Sequence, residues 1–592
     1  MTAEHQPIPP EQAKWLMADL LLWHQREAKP DWWRFFDRRD NYTTEDFVAD
    51  HECIGDLTLI GEIGTHKQSK IWRFQYDPDQ EHQVKPGARH YNPQTKKEVR
   101  LFDINHEQGT VDILLGKQHP APTITAIMPG KPISADALNE SLQRIAEALL
   151  THATDQPGPY LTSRRLLGRH TPTFTTGPTT GPLRHPGEPL LDCTIRLVST
   201  LNHSTLAIQG PPGTGKTYTS ARAILHLIKQ GQKIGVSAFS HSAIRTLLTE
   251  IITAAEESGQ PVSILQKAED TQAVHHPTVT VTDSNDDMAT GSTNFDIVAG
   301  TAWLFARAEM AETVDTLFID EAGQLSLANV LAASPAAKNL VLVGDPQQLS
   351  QPSKTTHPDS AGNSAMEHIL NGQQTIDEDI GILLDETRRM HPDICNFISE
   401  QFYNSRLTAH PTCKQQHVSQ PHLATSHGLY FLPVEHEHNR TSSTEEAQAI
   451  SHLYNQLLTG TWVNDEGTTH PLTTQDIIVV TPYNSQVTEL ARHLPENARI
   501  GTVDKIQGQG AAVVLISLAA SSSEDIPRGL DFLLEPNRLN VSISRAKAVT
   551  ILAANPRLAA TPAKTITQMK LVNTLCRYIE YATNLTLAKT TT

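Results

Sequence analysis

Cysteine is scarce: five residues in 592 (Cys53, Cys193, Cys395, Cys413 and Cys576), widely spaced and with no C-x-x-C pair. That spacing excludes a zinc ribbon, so neither structural zinc nor an iron–sulfur cluster is expected, and the thiols should be reduced and mostly buried. Long apolar runs are missing too. None approaches the roughly 18 residues of a membrane span, so no membrane partner is expected. The start, Met1 to Glu11, is polar and carries Pro7, Pro9 and Pro10, unlike a signal or transit peptide, which leaves a cytoplasmic location as the expectation. Positive charge is in deficit: the net charge of −17 argues against indiscriminate coating of nucleic acid while permitting a local basic groove. His436-Glu437-His438 has metal-like spacing, but two imidazoles alone make a poor site, and a solvated loop is predicted.

A chain of this length needs two to four domains. Pro9 to Gln25 has apolar residues at helical spacing, followed by the aromatic and basic cluster Asp31-Trp32-Trp33-Arg34-Phe35-Phe36; the cluster is read as a helix end packed on a neighbouring domain. Residues 1–52 are therefore taken as a helical stalk. From 53 to 131, short strands broken by Gly, Asp, Asn and Pro predict a small β-barrel. Residues 132–189 return to helix (Asp136 to His152) and then a Thr/Pro/Gly-rich linker that includes Thr175-Thr176-Gly177-Pro178-Thr179-Thr180-Gly181-Pro182. Beyond it, apolar β-rich runs alternate with helical stretches, the pattern of buried parallel sheets with crossover helices. Two successive α/β domains are expected, 190–375 with an insertion at about 256–294, and 376–592 with a C-terminal helix; Ile382 to Leu384 is counted in the second.

Gly210-Pro211-Pro212-Gly213-Thr214-Gly215-Lys216-Thr217 matches the P-loop pattern between a strand ending at Ile208 and a helix beginning near Thr217. Glycines let backbone N–H groups curl around phosphates, and the helix N-terminus adds positive potential. Lys216 should reach the β- and γ-phosphates and Thr217 should ligate Mg²⁺. Leu317-Phe318-Ile319-Asp320-Glu321, about 100 residues later, ends a strand in two carboxylates. Asp320 suits the Mg²⁺ position and Glu321 suits polarising the attacking water. ATP and Mg²⁺ are the predicted cofactors.

Three further blocks bear on what the ATPase drives. Asn339 to Leu349 places Gly344-Asp345-Pro346-Gln347-Gln348 at another strand end. Glu386-Thr387-Arg388-Arg389-Met390-His391-Pro392 and Leu539-Asn540-Val541-Ser542-Ile543-Ser544-Arg545-Ala546-Lys547 offer arginines from the second α/β domain. An arginine supplied across a cleft stabilises the transferring phosphoryl and makes hydrolysis depend on closure. These blocks, in this order, resemble superfamily 1 helicases of the group that includes the nonsense-mediated-decay RNA helicase, and within it the chain is most similar to the helicase half of bacterial RecB-like nuclease–helicase fusion proteins. Val503-Asp504-Lys505-Ile506-Gln507-Gly508-Gln509, Ser521 to Gly529, and Asn537 to Val541 share that resemblance, which spans about Thr205 to Leu558, with a looser likeness over the N-terminal helix–barrel–helix.

The resemblance implies two tandem RecA-like P-loop domains with an N-terminal helix–β-barrel–helix accessory module. It makes Gln348, Arg389 and Arg545 sensors of the γ-phosphate, in agreement with the role the residues themselves suggest for the two arginines. It also points to Ser240, Thr301, Thr481, Pro482, Tyr483 and Thr502 as contacts to a strand, where small hydroxyls and backbone N–H groups suit sequence-blind phosphate binding. The implied activity is an ATP-dependent helicase or translocase on single-stranded DNA, with RNA as a further candidate, moving 5′→3′. An ATP-switched binding or remodelling protein without processive unwinding is the alternative.

The chain departs from that pattern in three places. Gly510 stands where relatives usually carry Glu, and no Gln occurs between Arg169 and Ile208 to read adenine; tolerance of other nucleoside triphosphates is predicted. Glu27-Ala28-Lys29 resembles a fragment of a nuclease motif but lacks an upstream Asp on a strand, and is read as structural. Nuclease activity, if coupled to this motor, would reside in a partner chain.

Overall fold

The computed structural model describes residues 6–116, 122–177, 180–421, 423–527 and 529–586. Pro178 and Thr179 of the linker, Arg528 of the downstream segment, residues 117–121 of the expected barrel and both extreme termini lie outside the described residues. The chain divides into two compact units, Leu21–Ala137 with Ser353–His357, and everything else.

In the smaller unit, helix Trp23–Asp40 leads through the short helix Thr44–Ala49, closed by a Thr43/Asp46 capping box, into a six-stranded antiparallel sheet. Its strands lie in the order Thr58–His66, Ser69–Gln75, Thr110–Gly116, Lys97–Asn105, His90–Asn92, Met128–Pro129. The aromatic cluster sits inside the helix, not at its end. Phe35 is buried edge-on to Tyr91, Arg39 lies over the Phe36 ring, and Trp33 is exposed. Glu27 anchors the returning segment: its carboxylate accepts from Ser353 Oγ (2.7 Å), Lys354 N (2.9 Å) and His357 Nε2 (2.7 Å). Burial pushes its pKa up, and these three donors outweigh that and hold it below the ordinary value.

The larger unit contains two large all-parallel sheets among its described residues. The first runs Val279–Thr282, Ile264–Lys267, Ile297–Ala299, Ile234–Ala238, Val314–Asp320, Ala337–Gly344, Thr205–Gln209, Gly381–Leu383. Its central strands are buried throughout, as strands covered on both faces must be. Two boundaries move. The segment read as an insertion at about 256–294 supplies two strands of the sheet; its polar composition hid them because edge strand Val279–Thr282 is only half covered. Strand Gly381–Leu383, expected in the second domain, pairs with Thr205–Gln209 and so completes the first.

The second sheet runs Arg499–Thr502, Ile477–Thr481, Ala511–Ser517, Ala546–Ala554, Gly428–Pro433, Thr583–Asn584. Helix Ile566–Tyr581 packs on it through Leu571, Val572, Leu575 and Tyr578. The solvated-loop reading of His436-Glu437-His438 is corrected for His436. That ring is buried, bonded through Nδ1 to Ser521 Oγ (2.7 Å) and through Nε2 to the buried Glu446 (3.0 Å), so sequence spacing alone could not reveal its partners. Cys53, Cys193, Cys395 and Cys413 are buried and Cys576 is half-buried, all as free thiols. Among the described residues no helix is long and apolar enough to cross a membrane.

Candidate nucleotide and strand-binding site

The P-loop leaves strand Thr205–Gln209 and enters helix Lys216–Lys229. Gly213 and Gly215 have φ of 78° and 80°, a left-handed backbone that glycine adopts at little cost. Gly213 is also sterically required: a Cβ there would lie 2.5 Å from both Arg389 Cβ and Thr387 Oγ1. Lys216 Nζ donates to Gly210 O at 2.7 Å, which holds the ammonium over the loop.

Two carboxylates follow at the end of strand Val314–Asp320. Asp320 is buried and accepts from the Glu321 N–H at 2.9 Å, and Glu321 takes φ of 51°, a strained value outside glycine. Burial and the neighbouring Glu321 push the Asp320 carboxyl up to about 7, against the pull of Lys216. A buried acid in that state is relieved by a divalent cation. Thr217 and Asp320 line one cavity and form a hydroxyl–carboxylate donor set that fits Mg²⁺.

From the second domain, Thr387 Oγ1 donates to Pro212 O (2.8 Å) and Arg388 N to Gly213 O (2.9 Å), so this segment grips the P-loop directly. Of the Arg388–Arg389 pair, Arg388 is exposed and Arg389 faces the cavity. Arg545 is 2% exposed and donates to Val541 O (3.1 Å), Gln509 O (3.4 Å) and Gln348 Oε1 (3.3 Å). Burial pushes the Arg389 pKa down to about 10; burial and then Arg389 push Arg545 down to about 9. Two guanidiniums crowded in one cavity, with no ion pair of their own to a carboxylate among the described residues, suit a bound anion.

All these groups line a single cavity of about 600 Å³: Pro211 to Thr217, Asp320, Glu321, Gln348, Arg389 and Arg545. Gly210 is outside this lining and meets it through the Lys216 ammonium that its carbonyl accepts. The same walls include Tyr218 and Phe239, both near half-exposed aromatics, and Asp504, Gln507 and Gly508, none of which the sequence reading assigned to the nucleotide. Tyr218 adjoins the P-loop and could have been flagged; Phe239 carries no such signal.

The expected strand contacts divide. Ser240 lines the nucleotide cavity and its Oγ accepts from Ala243 N (3.2 Å), capping helix His241–Ser258. Thr301 precedes helix Ala302–Phe305 and is half-buried. Thr481 and Thr502 end adjacent parallel strands in direct register, and both are buried, Thr481 completely. Pro482 is half-buried and Tyr483 is 7% exposed. All six lie at or just beyond the C-terminal ends of sheet strands, where open α/β folds place their ligands.

The fold and cavity together are those of a P-loop nucleotide-binding protein with two α/β domains. Two family profiles, each described as an AAA domain, match residues 195–354 and 361–557. The chain is similar to helicase sen1 of Schizosaccharomyces pombe (31% identity, covering 40% of this chain and 14% of that protein) and to ATP-dependent helicase upf1 of the same organism (26%, 71% and 51%). Among solved structures it resembles an arterivirus nonstructural protein 10 helicase in complex with DNA, with TM-score 0.38 and 13% identity over 82% of this chain and 76% of that one. The chain thus spans about half or less of the length of these curated relatives.

Proposed function

We propose that the protein is a Mg²⁺- and ATP-dependent motor on single-stranded nucleic acid, DNA in the first instance, moving 5′→3′. The observation that carries this reading is the shared cavity, in which Lys216 and Glu321 of one α/β domain face Arg389 and Arg545 of the next. Mg²⁺ held by Thr217 and Asp320 would neutralise phosphate charge. Lys216 and the two arginines then bind the terminal phosphate from both sides, and Glu321 takes a proton from the attacking water. Loss of that phosphate removes the anion that Arg389 and Arg545 share, so the two domains separate and close once per turnover. The strand crosses the C-terminal ends of both parallel sheets near Ser240, Thr301, Thr481, Pro482, Tyr483 and Thr502.

Base selectivity is loose in this reading, since Tyr218 and Phe239 offer flat aromatic surfaces that accept any base. A RecB-like kinship and a nuclease on a partner chain extend the same proposal.

Gly510 favours a second reading, an ATP-switched clamp. A Cβ at this position would lie 3.6 Å from Arg389 Nε, so a carboxylate side chain there would face Arg389, and the chain lacks it. Steady-state ATPase with matched single-stranded DNA and RNA tests the motor class: stimulation by either is expected, and indifference to both rejects it. Release of a strand from a 5′- or 3′-tailed duplex then separates motor from clamp.

A further inference from the structure

A buried polar chain crosses from one α/β domain to the other just behind the cavity, built on two side chains to which no role has been assigned. Tyr403, following helix Pro392–Phe402, is completely buried, and its hydroxyl donates to Asp345 Oδ2 at 2.6 Å. Asn540, on helix Pro536–Ile543 and also completely buried, donates through Nδ2 to Tyr403 Oη (2.9 Å) and to Gln347 O (2.7 Å). One turn earlier, Asn537 donates to Pro346 O (2.9 Å) and Ser350 Oγ (3.1 Å). Asp345 Oδ2 also accepts from Gln348 Nε2 (2.9 Å), and Gln348 Oε1 accepts from Arg545 Nη2 (3.3 Å).

The wiring is directional. Asp345 to Ser350 belong to the first domain, Tyr403, Asn537 and Asn540 to the second, and the ends of the chain are the two phosphate-facing groups Gln348 and Arg545. Hydrogen bonds weaken steeply with small displacements, so this network exists only at the present domain separation. Buried polar groups add little net stability over apolar packing but cost heavily when left unmatched. Burial and Asp345 raise the Tyr403 pKa, so the phenol remains a donor, and burial likewise raises Asp345.

We propose that Tyr403 and Asn540 are positioning residues for nucleotide hydrolysis, forming a buried latch that sets Asp345, and through it Gln348 and Arg545, when the cleft closes. Neither touches the reacting atoms. The latch rests on the ATPase reading of the cavity. When the domains part, Asp345 loses Tyr403 and Gln348 loses Arg545, leaving Gln348 held only by Asp345 of its own domain.

Tyr403→Phe removes one oxygen and keeps the ring. With Mg²⁺, ATP and oligothymidylate, its kcat should fall about tenfold while the nucleotide KM stays within about twofold, the signature of an interaction made in the transition state. The thermal midpoint should remain near that of the wild type. A hydroxyl that only supports packing would lower the midpoint and leave kcat of the folded protein unchanged, and that result overturns the latch. If Tyr403→Phe does not fold, Asn537→Ala at a half-buried position decides: a loss of about threefold in kcat at constant KM supports the latch, and unchanged kcat overturns it. Lys216→Ala sets the floor. A wild type no faster than Lys216→Ala defeats the ATPase reading and the latch together, whereas an active wild type matched by a folded Tyr403→Phe defeats the latch alone.

Discussion

At the scale of single residues, the cavity separates binding from chemistry. In the proposed mechanism Lys216 contributes charge to the phosphates in every state, so Lys216→Ala should weaken nucleotide binding as well as stop turnover. In the same mechanism Glu321 acts only on the attacking water, so Glu321→Gln should reduce ATPase by at least about 10²-fold, in the range of general-base losses, while ATP remains bound; a filter-binding assay with labelled nucleotide checks both. A residue remote from this chemistry gives a pH signature. Glu188 accepts from Arg196 Nε (2.7 Å) and Nη2 (2.6 Å) and from the His185 N–H (3.0 Å). The Arg196 hydrogen bonds hold its pKa down, to about 2 from 4.5. Because the folded value is depressed, the stabilisation is complete above pH 4.5 and disappears as pH falls through 2. Glu188→Gln should therefore cost about 1 kcal/mol near neutrality, discounted for partial solvent exposure, with the difference shrinking in urea melts below pH 4.5.

At the scale of elements, strand ends hold the functional groups and strand interiors hold the strand ends in place. Phe318 is completely buried two residues before Asp320. Phe318→Ala should cost about 3–5 kcal/mol through lost burial and a cavity, and calorimetry would show the loss in the domain that contains the P-loop. Ser240 has a structural task that its expected strand contact does not explain. Removing its cap from helix His241–Ser258 costs about 1 kcal/mol. Ser240→Ala should thus lower stability in chemical denaturation; a larger fall in single-strand affinity than in stability would support its role at the strand, and equal nucleic-acid affinity would leave it a cap alone.

At the scale of the whole molecule, the net charge of −17 and a strand-binding function are compatible only if positive charge is local. Binding to single-stranded DNA should then weaken as salt rises, with a slope set by the few phosphates engaged. A flat salt titration would reject strand binding. Cleft closure is equally testable. Arg545→Ala should reduce nucleic-acid-stimulated ATPase by about 10³-fold or more with little change in nucleotide affinity, because in the proposed mechanism Arg545 acts across the cleft. The accessory unit is tied to its own returning segment by Glu27, whose three hydrogen bonds to Ser353, Lys354 and His357 join residues that lie immediately after the Gly344–Gln348 block.

The order of motifs in the sequence was sufficient to pick out the residues that the fold gathers in one cavity. A P-loop, a strand ending in Asp320-Glu321 and the arginines of two later blocks are local patterns, because phosphate cradling and strand-end placement depend on a few consecutive residues. Partners far apart in the chain had no such local signature. That Gly381–Leu383 pairs with Thr205–Gln209, that Arg389 faces inward and Arg388 outward, that His436 is buried against Glu446, and that Tyr403 meets Asp345 and Asn540 were decided by tertiary packing. Burial and hydrogen-bond satisfaction depend on which groups the fold brings together, and periodicity along the chain carries no record of that.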